Sequence, residues 1–109
     1  MKRTILAVFI SLAFLSFFNI AQAAEEVPLN QLLDSRATQL FQAQAYDQAL
    51  TEFEKLSQQY PQDLLPRRYV AMTLILLGRL DEAITILQDN IKKEPTNPAH
   101  HYYLARAYH

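Results

Sequence analysis

Three histidines and three tyrosines crowd the stretch HHYYLARAYH at residues 100–109, which raises metal ligation and aromatic binding as the first chemistry to weigh. On a helix, adjacent His100 and His101 leave the axis about 100° apart, and His101 and His109 stand about 12 Å apart along it. Neither pair has the i, i+4 spacing that puts two ligands on one helical face. No cysteine or carboxylate lies in the same segment, so no metal centre is expected. The single glycine excludes glycine-rich phosphate loops and dinucleotide fingerprints, which need close backbone approach at several positions. Ser35 and Ser57 sit in no G-x-S-x-G elbow. Glu52 with Glu54, and Asp81 with Glu82, read more simply as a solvated helix face and a helix start. No catalytic residue, cofactor or metal ligand is assigned, and no enzyme activity is expected of these residues.

The elements that carry the remaining function begin after residue 23. Met1 is followed by Lys2 and Arg3, then by an apolar run over residues 5–18 broken only by Ser11 and Ser16, then by Ala21, Ala23 and Ala24. This is the layout of a secretory signal peptide, with cleavage expected after Ala23. An uncleaved anchor is the alternative, since residues 5–20 approach the lower limit of a span of about 17–25 residues. The small-residue site directly behind the apolar run favours cleavage, so membrane contact is expected only through the transient signal peptide, and the processed chain is placed in the periplasm or outside the cell. There is no cysteine, hence no lipid-modified N-terminus and no disulfide. Without Lys2 and Arg3 the chain has 8 basic and 11 acidic residues, a formal charge of −3. That balance argues against nucleic acid, whose partners show a basic patch or stripe. Roughly 86 residues remain, enough for one small core.

Self-comparison gives the most specific signal. AYDQALTEFEKLSQQYPQD superimposes on RLDEAITILQDNIKKEPTN at a shift of 34 residues, with Asp47 on Asp81, Ala49 on Ala83, Phe53 on Leu87 and Pro61 on Pro95. Ala37, Ala71 and Ala105 keep the same phase, as do Leu40, Leu74 and Tyr108. Ala83, Ile84, Leu87 and Ile91 recur at helical spacing, and Ala49, Leu50, Phe53 and Leu56 do the same one unit earlier. Asp47 and Asp81 open these stretches, where a carboxylate can accept from free helix N–H groups and meet the positive end of the dipole. Gly78 suits a left-handed residue beyond a helix end, and Pro66 a first turn. Helices are expected at 29–44, 47–59, 64–77, 81–93 and 98–109, with no strand.

These residues resemble the tetratricopeptide repeat family, whose unit is two antiparallel helices in about 34 residues. The second unit carries the pattern at Val70, Ala71, Leu74, Gly78, Ala83, Leu87 and Pro95. The first matches at Ala37, Leu40, Ala49, Phe53 and Pro61 but has Arg36 where a large apolar residue is expected. The resemblance implies an all-α, helix-turn-helix repeat solenoid of about two and a third repeats after a signal peptide. Its organisation is a signal peptide at 1–23, a lead-in at 24–29, repeats at 30–63 and 64–97, and the first helix of a third repeat at 98–109, with Leu104, Ala105 and Tyr108 on its core positions.

In this family the first helices of successive repeats line a concave groove for an extended peptide or a partner helix. Carried over by repeat position, the groove residues are Phe41, Arg68, Tyr69, Met72, Tyr102, Tyr103 and Arg106, accompanied by Asp34, Thr38, Gln42, Leu65, Ile75, Leu76 and His109. Aromatic and arginine anchors of this kind suit protein recognition. The competing reading buries Met72, Ile75 and Leu76 against neighbouring repeats, because apolar runs such as residues 70–77 are usually core. Some relatives clamp a partner's C-terminal carboxylate with Lys, Arg and Asn; Asp34, Thr38, Tyr69, Ala99 and Tyr103 stand in those places here, so that clamp is not implied. The implied function is an exported protein-binding scaffold or adaptor of the bacterial cell envelope. Alternatives are the leading repeats of a larger envelope machine, such as an outer-membrane export barrel, or of an enzyme whose catalytic part follows residue 109. A chain stopping inside a repeat favours a partial version of a longer repeat protein. A homodimer through the terminal helix is the other way to cover its apolar face.

Overall fold

The computed structural model describes Pro28, Gln31, Leu32 and residues 35–109. The signal peptide, Asp34 and all of the lead-in except Pro28 lie outside the described residues. Among the described residues five helices follow one another: α1 (Arg36–Gln42), α2 (Tyr46–Gln59), α3 (Leu64–Leu76), α4 (Leu80–Lys93) and α5 (Pro98–Tyr108). Each packs on the next, and α3 also meets α5. No strand occurs among the described residues.

The 34-residue period reappears in the backbone. Gly78 closes α3 at φ 77°, and Gln44, one repeat earlier, closes α1 at φ 62°. The N–H of Gly78 bonds Ile75 O and that of Arg79 bonds Leu74 O; Gln44 to Phe41 and Ala45 to Leu40 repeat the pattern at the same distances of 3.0 and 2.9 Å. This is the Schellman arrangement, in which a left-handed residue turns the chain back and satisfies the last carbonyls. It reverses the chain between the two helices of each repeat.

Starts of the first helices are capped by side chains. The Asp63 carboxylate accepts from Leu65 N–H and the Asn97 amide oxygen from Ala99 N–H, both at 3.0 Å and 34 residues apart. Starts of the second helices are not: Ala45 and Arg79 hold the cap positions and provide no side-chain cap bond. Asp47 and Asp81 therefore act in the first turn through the dipole, not as the acceptors expected of them, because the tight turn puts each aspartate past the cap. The first expected helix is also interrupted. Ser35 accepts from Thr38 N–H at 3.3 Å and donates to Leu32 O at 2.6 Å, so its hydroxyl competes with the helical ladder and starts α1 at Arg36.

The core joins Leu32, Ala37, Ala49, Leu50, Phe53, Val70, Ala71, Leu74, Ala83 and Leu87. Small Ala37 and Ala71 are buried, as close approach of paired helices requires. Their counterpart Ala105 is exposed, and Tyr108, counterpart of the buried Leu74, is 62% exposed. These two expected core positions are corrected: no described helix follows α5 to pack on them. Leu104 is partly buried against the core, and α5 is anchored by the buried His100 and Ala107.

Candidate partner-binding groove

The helices α1, α3 and α5 share one side of the array, and a cleft of about 170 Å³ opens there, lined by Phe41 of α1, Met72, Ile75 and Leu76 of α3, and Tyr103 and Arg106 of α5. It has room for one large apolar side chain. Its wall is fixed from behind. Phe53 of α2, fully buried, stacks on Tyr69 at a centroid distance of 5.1 Å and meets the edge of Phe41 at 6.2 Å. Phe41 also meets Tyr46 at 5.5 Å, so α2 holds the first wall of the cleft through two rings, Tyr46 and Phe53. Such offset and edge-to-face contacts are each worth about 0.5–1.5 kcal/mol beyond area burial. Across the cleft Tyr102 and Tyr103 meet edge-on at 5.0 Å, and Arg106 Nη1 donates to Tyr102 Oη at 3.4 Å.

Four of the seven expected groove residues, Phe41, Met72, Tyr103 and Arg106, are brought together in this cleft. Tyr102 borders it through Tyr103 and Arg106. Tyr69 is engaged with Phe53 instead. Arg68 precedes Met72 by one turn on the same face, half-buried, and its Nε is buried without a hydrogen-bond partner. Ile75 and Leu76 line the cleft as well, and Leu76 is 46% exposed. They sit inside the continuous apolar run at 70–77, where periodicity does not separate a groove position from a core one.

The opposite helices carry the paired charges. Arg67 Nη1 on α3 lies 2.6 Å from Asp89 Oδ2 on α4, and Lys93 Nζ lies 3.2 Å from the same oxygen. The Arg67 hydrogen bond first, and Lys93 second, hold the Asp89 carboxyl below the usual carboxylate range. Arg79 does the same to Glu82, with Nη2 to Oε1 at 3.0 Å. Where α4 turns into α5, the histidine that opened the question of metal binding is fully buried: His100 Nε2 is 3.2 Å from Glu94 Oε1. Exposed His101 instead faces Pro95 O at 2.8 Å. Among the described residues no three His, Cys, Asp or Glu side chains come together as a metal site.

A family model described as tetratricopeptide repeat matches residues 40–107. No curated protein and no solved structure matches the chain.

Proposed function

This chain belongs to the tetratricopeptide repeat family, and we propose that it is an exported adaptor of the bacterial cell envelope that holds a peptide or a partner helix in the cleft between α1, α3 and α5. Repeats of this family are protein–protein interaction modules. The observation that carries the reading is the cleft itself: three successive first helices contribute to one apolar opening rimmed by tyrosine and arginine. Its apolar lining suits an anchor side chain of the kind that provides most of the energy of a protein interface. The N-terminal pattern of Lys2, Arg3, an apolar run and Ala21-Gln22-Ala23 supports export.

Placing a photo-crosslinking amino acid at Leu76, inside the cleft, and at Thr85, exposed on α4, tests this in cells. A discrete crosslinked species from Leu76 and none from Thr85 supports the reading. Equal products from both positions, or products from Thr85 alone, sink it. Export is tested by the N-terminal sequence of the protein in the periplasmic fraction, expected to begin at Ala24.

A second reading makes these residues the leading repeats of a larger envelope protein. The exposed face of α5 at Ala105 and Tyr108 favours it, because Ala71 and Leu74, the equivalents one repeat earlier, are buried. The intact mass of the endogenous protein decides. Pairing of two copies through that same face would appear as concentration-dependent sedimentation.

A further inference from the structure

Resting on the groove reading above, we infer that the partner segment is acidic: a large apolar side chain enters the cleft, and side-chain carboxylates beside it bind Arg106 and Arg68. Charge is separated between the two sets of helices. Among the described residues every carboxylate lies on α2, on α4, or in the turns at Asp63 and Glu94, and α1, α3 and α5 carry none. The arginines of α3 and α5 are Arg67, Arg68 and Arg106. Arg67 is taken by Asp89. Arg68 and Arg106 form no ion pair within the described residues, as is also true of Arg36 on α1 and Lys92 on α4, whereas Lys55, Arg79 and Lys93 are each paired.

One of the two guanidinium groups lies in the cleft wall and the other stands on the neighbouring turn of α3. Arg106 lines the cleft and donates to a single neutral acceptor, the Tyr102 hydroxyl, at the long distance of 3.4 Å. The rest of its five-donor fork is uncommitted. Arg68 sits one turn from Met72, a cleft residue, with Nε buried and unpartnered. A donor of this kind gains most from a charged acceptor, which repays its desolvation and accepts in bidentate geometry. With Arg36, Arg67, Arg68 and Arg106 and no carboxylate, α1, α3 and α5 carry a positive charge, the reverse of the negative balance on α2 and α4. That reversal steers negatively charged segments to the groove and away from the α2 and α4 face.

The test is selection of a phage-displayed library of random short peptides on the purified protein, run in parallel on the Arg68→Gln/Arg106→Gln variant after its melting temperature is shown to be unchanged. The expected result is enrichment of Asp and Glu next to a large apolar residue on the wild type, and loss of that acidic enrichment on the variant. Affinity of the selected peptides should fall about tenfold for each arginine removed, the worth of one charge-assisted bond. It should also weaken with added salt. Neutral or basic winners, an acidic preference that survives in the double variant, or a library yielding no binder would each overturn the inference. Binding that disappears in Leu76→Asp but is indifferent to both arginines keeps the groove and removes the acid preference. Binding untouched by Leu76→Asp removes the groove reading itself.

Discussion

Ala71 and Ala105 occupy the same position of successive repeats, and the structure assigns them opposite environments: Ala71 is fully buried and Ala105 is exposed. Substituting leucine at each is therefore the same chemical change made twice with different expected outcomes. At Ala71 the added side-chain carbons enter a fully buried position of the core that Leu74, Ala83 and Leu87 also build. Overpacking of this kind costs about 1–3 kcal/mol, and more where helix axes must separate. For a domain of this size each kcal/mol lowers the melting temperature by about 4–8 °C, so Ala71→Leu should melt roughly 5–20 °C below the parent. At Ala105 the leucine meets solvent, and the change should stay within about 0.5 kcal/mol. Circular dichroism melts and urea titrations of both variants, at two protein concentrations, provide the comparison. Equal destabilisation by the two substitutions would refute the reasoning, since it would mean that Ala105 is covered. A concentration-dependent loss in Ala105→Leu would identify that cover as a second copy.

The left-handed turns are expected to respond in opposite directions. Gln44→Gly relieves a side chain at φ 62° and should stabilise by about 0.5–1 kcal/mol, whereas Gly78→Ala should destabilise by about 1 kcal/mol; a loss of stability in Gln44→Gly contradicts the shared turn geometry. Asn90 is buried in the place held by Leu56 one repeat earlier, and neither polar atom of its amide has a hydrogen-bond partner. Asn90→Leu should raise the urea midpoint by an amount equivalent to about 1–2 kcal/mol with an unchanged slope, and a lower midpoint would show that the amide is satisfied in solution. The Asp89 carboxyl is held low in the folded protein, first by Arg67, so its contribution to stability is complete above the unfolded carboxylate range and is lost as pH falls through the lower folded value. Carbon-detected NMR titration should show Asp89 ionising below the usual carboxylate range and rising toward it in Arg67→Gln; no change in that variant would remove Arg67 as the cause.

The repeat was legible because it is written in side chains that must pack or turn: Ala37 and Ala71 where helices touch, Phe53 and Leu87 in the core, Gly78 beyond a helix end. The turn at Gln44 was not, since a glutamine carries no mark of a left-handed backbone and only its position 34 residues before Gly78 points to it. The starts at Leu64 and Pro98 were legible, whereas the second helices begin at Tyr46 and Leu80, one residue before the expected 47 and 81, because an aspartate in a first turn and an aspartate at a cap look alike in sequence but differ in which N–H they reach. For the groove, repeat position brought Phe41, Met72, Tyr103 and Arg106 to one cleft but did not foresee that Tyr69 is drawn onto Phe53. The burial of His100 was also invisible. Its repeat equivalent is Pro66, also buried, so the slot is defined by burial and not by residue type. Ala105 and Tyr108 match the core pattern in sequence, and their exposure depends on what packs against α5, which periodicity within the chain does not specify.

The central claim is that partners enter the side of the array formed by α1, α3 and α5. Its most direct test is NMR mapping with the segment recovered from crosslinking at Leu76, added to isotopically labelled protein. The account predicts shifts concentrated at Phe41, Met72, Ile75, Leu76, Tyr103 and Arg106, with Thr51, Thr85 and Gln88 on the α2 and α4 surfaces unmoved. Shifts confined to α2 and α4, with the cleft silent, would contradict it.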